Sequence, residues 1–277
     1  MLAMCGVAMA QSPAVNGDVN GDGACNLNDI TALYNYLLND DASGLVSGDQ
    51  DGDGYITVGD ITWVYNVLLY VSNEDGHEYI DLGLPSGTLW ATTNVGASVP
   101  EEYGDYFAWG ETAPKDVYNW STYKWCMGSD NTMTKYCTDS DYGYNGFTDG
   151  KRELDPEDDA ATANWGAMWR MPSLEQIQEL YNNCTTQWTT RNGVNGRLFT
   201  SNINGASLFL PAAGGRWDSG LIGAGTYGGC WSRTLNSGDP SYAYYLHFDS
   251  DRVYWYYVHR NYGQSVRAVR VVRVVQN

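Results

Sequence analysis

The chain has 277 residues and a formal net charge of −18 at pH 7, although only 17% of its residues are charged. Nucleic acid and anionic membrane surfaces repel so acidic a chain, so neither is an expected partner. Its 43% hydrophobic and 14% aromatic residues suffice for a packed core, and 32 glycines with 22 tyrosines favour a turn-rich β protein.

The first residues, MLAMCGVAMAQ, are apolar and end in small side chains. Ala8-Met9-Ala10 before Gln11 fits an A-x-A cleavage site, so residues 1–10 are predicted to be a truncated signal peptide. The basic start of a complete signal peptide is missing, and a disordered apolar tail is the alternative. No other stretch approaches the ~20 apolar residues that span a bilayer. We therefore expect a secreted or cell-surface protein without a transmembrane segment.

Two segments repeat each other 31 residues apart, reading DVNGDGACNLNDITALYNYLL from Asp18 and DQDGDGYITVGDITWVYNVLL from Asp49. Each begins with a twelve-residue loop whose oxygen donors fall at positions 1, 3, 5, 9 and 12, a spacing that wraps oxygens around one Ca²⁺ ion. Glycine at position 6, Gly23 or Gly54, permits the sharp turn, and position 7 donates its backbone carbonyl. The predicted metal ligands, for two Ca²⁺ ions, are Asp18, Asn20, Asp22, Ala24, Asn26 and Asp29, then Asp49, Asp51, Asp53, Tyr55, Thr57 and Asp60.

An amphipathic helix is predicted after each loop, beginning at Asp29 and at Asp60, where an acidic side chain suits a helix N-terminus. Each unit is therefore half of an EF-hand, and the two apolar stripes are expected to bury against each other. Without metal, the loop carboxylates would repel one another. The stripes are Ile30, Leu33, Tyr34, Leu37 and Leu38, then Ile61, Val64, Tyr65, Leu68 and Leu69.

Over residues 15–71 the repeats resemble a type I dockerin, which has two such loop–helix units. The resemblance implies a small all-α module with two calcium loops and a cohesin-like docking partner. It departs at loop positions 10 and 11, where cohesin-binding dockerins often carry a Ser-Thr type pair. Leu27-Asn28 and Val58-Gly59 stand there instead. This departure argues against a standard cohesin, but not against calcium-dependent folding.

A polar linker is predicted at residues 72–78, and from residue 79 to 277 short apolar runs alternate with Gly, Asn, Asp and Ser. That sequence pattern predicts short strands and long loops. One helix is predicted after Ser173, which forms a capping box with Gln176 ahead of an apolar stripe. The stripe is Leu174, Ile177, Leu180 and Tyr181, and the clearest predicted strands are 88–92, 207–211, 230–234, 243–248 and 265–275.

Five phrases in this part carry a second resemblance: YIDLGLPSGTLWATTNVG, YFAWGE, ATANWGAMWRMPSLEQIQEL, GCWSRT and RNYGQSVRAVR. Together they resemble the Fibrobacter succinogenes major paralogous domain, which is similar to the formylglycine-generating-enzyme-like branch of the C-type lectin fold. The resemblance runs from about residue 79 to 270. It implies a C-type-lectin-like mixed α/β domain rich in loops, so the predicted fold class of the whole chain is α+β.

Residues 241–262 read SYAYYLHFDSDRVYWYYVHRNY, and tyrosine is exceptionally dense there. Successive strand residues point to opposite faces, so about half of the rings in YWYY cannot lie in the core. Exposed clustered aromatics mark binding surfaces, and an aromatic-rich structural sheet is the alternative. A protein or glycan ligand is favoured over a small metabolite. The predicted ligand-binding residues are Tyr242, Tyr244, His247, Asp249, Asp251, Tyr254, Trp255, Tyr256, Tyr257, His259 and Tyr262.

The same stretch resembles the variable region of diversity-generating retroelement proteins, which use the C-type lectin fold. That resemblance implies that Tyr, His, Asp, Asn, Ser and Arg occupy ligand-facing positions. It also implies a fixed scaffold made of Trp231, Leu246, Phe248, Gly263, Val266 and Arg267.

An enzyme is not expected, because the sequence shows no clear catalytic arrangement. The acidic run at residues 155–159 offers carboxylates for a glycosidase, but it is predicted to be a solvated loop. An oxidase of the related branch needs a cysteine pair late in the domain, where only Cys230 lies. Cys126 and Cys137 are a candidate disulfide pair. The expected function is ligand binding, and the alternative is a component of an extracellular polysaccharide-degrading or surface-adhesion assembly.

Overall fold

The computed structural model describes residues 17–22, 25, 27–50, 52–68, 71–72, 76–236 and 238–270. The chain divides into two compact units, Met1–Leu68 and Leu69–Asn277. The described part of the first unit is helical and that of the second is rich in β-strands, so the predicted α+β class is confirmed. The predicted signal peptide lies outside the described residues.

In its described ranges, the first unit contains two helices, α1 (Leu27–Asn39) and α2 (Val58–Leu68). Both begin two residues before the predicted starts. In the second repeat the Thr57 hydroxyl accepts from the Gly59 amide, and the Asp60 carboxylate accepts from the Thr57 amide. This reciprocal pair caps the helix at Thr57, so the last loop acid lies inside the first turn, where the positive end of the helix favours it.

The core of the first unit joins the inner faces of both helices, with Ile30, Leu33, Ile61 and Val64 buried. The prediction that both apolar stripes are buried along their full length was wrong, because Tyr34, Leu38 and Tyr65 are 49%, 75% and 55% exposed. Two packed helices cover only a narrow strip on each, and these side chains lie beyond it. Leu69 lies outside the described residues. The remaining core residues are Val19 and Ala32, flanked by partly buried Leu37, Leu45, Ile56 and Leu68.

The described part of the second unit is built on four small sheets. The largest has the strand order β1-β2-β3-β13-β4 and antiparallel pairing throughout. Its strands are β1 (Val71–Ser72), β2 (Glu78–Asp81), β3 (Leu89–Asn94), β4 (Trp169–Arg170) and β13 (Arg267–Arg270). Ser72 pairs with Glu78, so both ends of the predicted linker belong to this ladder.

The other sheets have the orders β5-β6-β7, β8-β9 and β10-β11-β12. The long strand pairs are again antiparallel hairpins. Their strands are β5 (Cys184–Arg191), β6 (Val194–Ser201), β7 (Ser207–Pro211), β8 (Gly215–Trp217), β9 (Gly220–Ile222), β10 (Tyr227–Leu235), β11 (Tyr242–Asp249) and β12 (Val253–His259).

Two helices accompany these sheets, α3 (Ala160–Trp165) and α4 (Leu174–Asn183). The predicted capping box is confirmed: the Ser173 hydroxyl accepts from the Gln176 amide, and the Gln176 side chain accepts from the Ser173 amide. Ile177 and Leu180 are buried as predicted, whereas Tyr181 is 38% exposed. Helix α3 and the β5–β6 hairpin were not predicted.

The predicted strands match observed ones. The segment 207–211 is β7 exactly as bounded, and 88–92, 230–234 and 243–248 fall largely within β3, β10 and β11. The last, 265–275, is shorter in its described part, where β13 ends at Arg270. Residues 271–275 lie outside the described residues.

Large aromatic side chains dominate the core of the second unit. Trp109, Trp169 and Trp231 are fully buried in one cluster, while Trp90 and Phe248 are buried in a second. The residues named as scaffold positions from the sequence are all buried: Trp231, Leu246, Phe248, Gly263, Val266 and Arg267. No helix within the described residues is long and apolar enough to cross a bilayer.

Candidate calcium loops and aromatic face

The described part of the first loop is closed by its first and last acids. One oxygen of Asp18 accepts from the amides of Gly21 (2.7 Å) and Asp22 (3.1 Å). At the other end, fully buried Asp29 accepts from the amides of Val19 (2.8 Å) and Asn20 (3.1 Å). The two carboxylates therefore hold the loop backbone from both ends.

The side chains at positions 3 and 5 of this loop contact each other. The Asn20 amide nitrogen donates to the Asp22 carboxylate (3.1 Å), and the Asn20 oxygen accepts from the Asp22 backbone (2.9 Å). Four of the six predicted ligands are thus gathered in one short loop. Ala24 and Asn26 lie outside the described residues.

The second loop repeats this plan. Asp49 accepts from the amides of Gly52 (2.8 Å) and Gly54 (2.9 Å), and fully buried Asp60 accepts from those of Gln50 (2.6 Å) and Thr57 (2.7 Å). Gln50 occupies the loop position of Val19, so the last acid binds an equivalent amide in both repeats.

The middle of the second loop also folds on itself. Asp53 accepts from the Tyr55 amide (2.8 Å), and the Tyr55 side chain is 73% exposed. Exposure suits a residue expected to contribute only its backbone carbonyl. Asp51 lies outside the described residues.

Glycine is required at two loop positions. Gly54, at position 6, has a φ of +90°, as the predicted sharp turn requires. Position 4 was not predicted to need glycine, yet Gly21 and Gly52, which occupy it, both have a φ of +76°. The backbone therefore makes the same left-handed turn at position 4 of both loops.

The described donor set fits a hard cation. Every predicted side-chain ligand supplies oxygen, and an ionised carboxylate has about four lone-pair sites, so accepting two amides leaves capacity for a metal. Over the described ranges, no three Asp, Glu, His or Cys side chains converge on one point. Calcium would therefore complete the loops by drawing in their oxygens, and it would supply charge neutralisation and structural closure.

In the second unit, the β10-β11-β12 sheet carries most of the predicted ligand-binding residues. Register places His247 opposite Tyr254 and Tyr245 opposite Tyr256, so these four side chains share one face. Ala243 and Val258 pair on the same face, and the pairs on the other face are Tyr242 with His259, Tyr244 with Tyr257, Leu246 with Trp255 and Phe248 with Val253.

The face of the β11–β12 hairpin that carries Leu246 and Phe248 is buried at the end next to the turn. Leu246, Phe248 and Val253 are buried in the core, and Trp255 packs partly beside them and 5.4 Å from the Tyr181 ring. Trp255 therefore faces away from Tyr254 and Tyr256. Its role is therefore mainly packing.

A continuous band of rings runs across the accessible parts of the sheet. His247 lies 4.9 Å from Tyr254, which lies 6.3 Å from Tyr256, and Tyr256 stacks on Tyr257 at 4.4 Å. The band continues to Tyr242, 5.4 Å from Tyr257. We call this set, completed by Tyr244, His259 and Tyr262, the aromatic band. The Tyr244 ring lies 6.1 Å from Tyr257, the His259 ring 4.1 Å from Tyr242, and the Tyr262 ring 5.7 Å from His259.

Tyr256 and Tyr257 are the most exposed members, at 51% and 36%. Burial is the main cause that lowers the pKa values of His247 and His259, so both imidazoles are neutral at neutral pH. The accessible surface of the band is thus uncharged, and its polar groups are hydroxyls and imidazoles.

The two predicted aspartates lie in the turn between β11 and β12. Asp249 accepts from the amides of Asp251 (2.9 Å) and Arg252 (3.0 Å), so its carboxylate shapes the turn. Asp251 is exposed and accepts from the Ser250 hydroxyl (3.1 Å). Both carboxylates border one end of the aromatic band.

Three further aromatic residues extend the band and were not predicted. Tyr227 stacks on His247 at 5.3 Å, Trp120 lies 5.5 Å from His259, and Trp217 lies 6.1 Å from Tyr262. Trp217 is 52% exposed on the β8–β9 hairpin. They are distant in sequence from residues 241–262, so composition alone gave no signal for them.

Only part of the acidic run at residues 155–159 is solvated as predicted: Glu157 is exposed, whereas Asp158 and Asp159 are buried. Asp158 is 2% exposed, accepts from the Tyr136 hydroxyl (2.7 Å) and pairs with Lys135 (2.5 Å). Asp159 is 1% exposed and accepts from the amides of Ala161 and Met171. Both carboxylates are held by structural partners, because the backbone at the start of α3 and the Lys135 side chain need acceptors.

The candidate disulfide is absent, and Cys126 and Cys137 are free thiols. The Cys126 thiol donates to the Trp120 carbonyl (3.2 Å) and the Cys137 thiol to the Asp139 carbonyl (3.0 Å). Their side chains serve separate turns. Cys184 and Cys230 are free thiols as well.

Comparison with protein-family models matches residues 16–69 to the type I dockerin domain. No curated protein and no solved structure matches the chain. The match covers both loops and both helices of the first unit. Dockerin domains bind calcium and typically belong to extracellular proteins that dock to a protein partner. Residues 16–69, with their paired loop–helix repeats, are therefore a calcium-binding type I dockerin domain.

Proposed function

We propose that the chain is a non-catalytic component of an extracellular assembly. Its dockerin domain binds two Ca²⁺ ions and docks to a cohesin-like partner, while the aromatic band of the second unit binds a protein or glycan ligand. The docking proposal rests on one observation: α1 and α2 expose apolar side chains at equivalent positions, so the exposed helix face is repeated as well as the loop.

That face consists of the outward residues of the two helices. Leu27, Tyr34 and Leu38 are 67%, 49% and 75% exposed at i, i+7 and i+11 of one helical face. Val58 and Tyr65 occupy the equivalent positions of α2 at 68% and 55%. A small domain gains nothing from exposing such side chains in water, so they support a partner with an apolar surface. Leu27 and Val58 are also the residues that replace the Ser-Thr type pair, which supports a partner of altered specificity.

The two-ion proposal is tested by titrating calcium into the full chain by calorimetry. We expect two ions per chain for the native protein and one for Asp60→Asn, whose neutral side chain weakens the second loop. Asp40→Asn, an exposed aspartate between the loops, should keep both sites. A single ion bound by the native chain would contradict the proposal.

The docking face is tested with a panel of immobilised cohesin modules of differing specificity, in calcium or in a chelator. We expect Tyr34→Ala/Tyr65→Ala to weaken capture by the module that binds at least tenfold, since both rings lie at the proposed interface. Tyr55→Ala is the control, because it removes an even more exposed ring within a loop. Equal loss in the control, or capture that survives the chelator, would contradict the assignment.

The binding role of the second unit is supported by the exposed rings of the aromatic band. Tyrosine offers a large contact area and a hydroxyl at low entropic cost. The C-type-lectin-like fold remains part of this proposal. Replacing Tyr254, Tyr256 and Tyr257 by alanine should abolish ligand capture while near-UV circular dichroism reports an intact core.

The proposal that this surface is diversified is supported by the difference in burial between the scaffold positions and the variable positions. The proposed scaffold residues are buried, whereas most residues of the proposed variable set reach the surface. The test is to sequence the gene neighbourhood. We expect a near-copy of the stretch coding for residues 231–268 that differs only at adenines and lies beside a reverse transcriptase gene. Absence of both from a complete genome would contradict it.

The absence of catalysis from this chain is also a proposal. Asp158 and Asp159 are engaged in hydrogen bonds and ion pairs, which supports a structural role. Hydrolase activity on plant or host glycans that disappears in Glu157→Gln or Asp158→Asn, with folding retained, would overturn it.

A further inference from the structure

Strand β12 forms an open edge of its sheet. The order β10-β11-β12 gives it a partner on one side only. Its seven residues, VYWYYVH, include no proline, lysine or arginine, the residues that usually protect such an edge from further pairing. A sheet edge of this kind is a template for another strand.

The ladder shows which backbone groups face outward. Backbone hydrogen bonds join Asp249 to Arg252 and Ser241 to Arg260 at the two ends of the β11–β12 ladder, so alternate pairs between them are the bonded ones. Trp255 and Tyr257 fall on the other pairs, and their N–H and C=O groups point away from β11. These groups have no hydrogen-bond partner among the described residues.

Exposed rings lie beside this edge. Tyr256 and Tyr257 are adjacent in the strand and would point to opposite faces, yet their rings stack at 4.4 Å. Because β11 occupies the inner side, the rings meet around the outer side, and a strand added there would part them. Arg252 lies over the Tyr254 ring at 5.3 Å, so the chain itself shows a cation seated on this band.

Charge around the band is predominantly negative. Asp249 and Asp251 lie at one end, and Asp130 and Asp239 act electrostatically on His259 and Tyr242 at the other. The cations nearby are Arg252, which pairs with Asp249 at 3.3 Å, Arg197, which donates to the carbonyls of Asp249 and Ser250, and fully buried Arg260 at the end of β12. Arg252 offsets Asp249 and Arg260 is buried, so exposed Asp130 and Asp251 keep the surface of the edge acidic.

We propose that β12 binds an extended cationic peptide segment of a partner protein by adding it as a fourth strand of this sheet. The free groups of Trp255 and Tyr257 supply the main-chain hydrogen bonds. The rings of Tyr254, Tyr256 and Tyr257 receive the lysine or arginine side chains of the peptide, and the flanking aspartates attract its charge. A second copy of this chain would bring a net charge of −18 against another −18 and is disfavoured. The inference rests on the proposed binding role of the aromatic band and names the class of its ligand.

The probe is a capped heptapeptide in which lysine and arginine alternate with valine and threonine, matched in length to β12. Binding to the full chain is measured by fluorescence anisotropy at low and moderate salt. Three comparison ligands are a peptide methylated on alternate backbone nitrogens, a peptide with glutamate in place of each basic residue, and cellohexaose.

Two variant pairs separate the backbone from the side chains. Tyr257→Pro removes the outward N–H, a change that an edge strand tolerates, and Tyr257→Ala removes only the ring. Asp130→Asn/Asp251→Asn lowers the negative charge at the band, and Asp116→Asn/Glu175→Gln removes two exposed carboxylates elsewhere in the same unit.

We expect the methylated peptide to bind at least tenfold more weakly than the probe, and Tyr257→Pro to bind the probe at least tenfold more weakly than Tyr257→Ala. The Asp130→Asn/Asp251→Asn variant should lose several-fold in affinity and part of the salt dependence, while its control pair should not. The methylated peptide tests the edge on the native protein, so a Tyr257→Pro variant that fails to fold leaves the test intact.

Equal binding of the methylated or glutamate peptide would overturn the strand or the charge argument, respectively. Binding of cellohexaose without the peptide, lost in the Tyr254, Tyr256 and Tyr257 alanine variant, would overturn this inference and leave the binding role standing. Dimerisation through the same edge, detected by light scattering and lost in Tyr257→Pro, would assign the edge to a second copy. Binding of peptide and glycan that is unchanged in the triple alanine variant would contradict the binding role itself.

Discussion

At the scale of single residues, Arg260 shows how the loops of the second unit are joined. The side chain is fully buried, and its guanidinium donates to the carbonyls of Tyr136, Pro240 and Lys135 and to the Tyr123 hydroxyl. Its planar, branched donors reach all four oxygens at once, which a lysine ammonium could not do. One side chain thus ties three separate stretches of irregular chain to the end of β12.

Arg260→Met should lower the free energy of unfolding of the second unit by roughly 3 kcal/mol or more, because several buried oxygens lose their donor. Urea denaturation followed by tryptophan fluorescence measures the loss. Arg252→Met, at an exposed arginine in the same sheet, should change stability by less than about 0.5 kcal/mol. Equal stability of the two variants would show that the buried hydrogen bonds are replaceable.

At the scale of elements, the β11–β12 hairpin combines a packed face with an accessible one. Its register places the apolar residues of one end in the core and leaves tyrosines and histidines outside. Both histidines nevertheless remain partly buried among rings. Burial outweighs the opposing influence of Asp249 on His247 and of Asp130 and Asp239 on His259, so both pKa values lie below the ordinary 6.5.

This arrangement predicts a loss of stability in mild acid. A lowered folded pKa means that the unfolded chain binds protons first, so stability is complete above about pH 6.5 and declines as pH falls below it. The slope of unfolding free energy between pH 6.5 and 5 should be flatter in His247→Gln/His259→Gln. Imidazole chemical shifts provide a direct measurement, and protonation of either ring at or above pH 6.5 would contradict the prediction.

At the scale of the whole molecule, each unit has its own core and its own dependence on ligands. The described part of the first has a small apolar core and two loops rich in carboxylates, so it is small and electrostatically strained without a cation. The described part of the second has three clusters rich in buried aromatic side chains, and no calcium ligand was predicted in it. The two units should therefore respond differently to calcium.

Chelating calcium should lower the melting temperature of the first unit by roughly 10 °C or more, since calcium at 100 times its Kd stabilises each site by about 2.7 kcal/mol. The transition of the second unit should move by no more than about 2 °C. Differential scanning calorimetry with and without chelator resolves the two. A joint shift of both transitions would show that the second unit also depends on the metal.

The sequence determined the first unit almost completely. Ligand spacing, a glycine and the helical stripe are local features, and local geometry fixes a twelve-residue loop and the helix that follows. The capping box at Ser173 was readable for the same reason. Tertiary structure decided which helix residues stay exposed, because only the packing of α1 on α2 shows that Tyr34 and Tyr65 lie off the contact line.

In the second unit, composition predicted a binding surface but not its extent. Trp217 joins the aromatic band from β8 and Tyr227 from β10, Asp158 is buried by a lysine 23 residues away, and Trp255 turns inward because α4 covers that face. Sequence spacing carries no information about such contacts, since they depend on strand order and register. The open edge of β12 is of the same kind: whether a strand has one neighbour or two is settled only when the sheet is assembled.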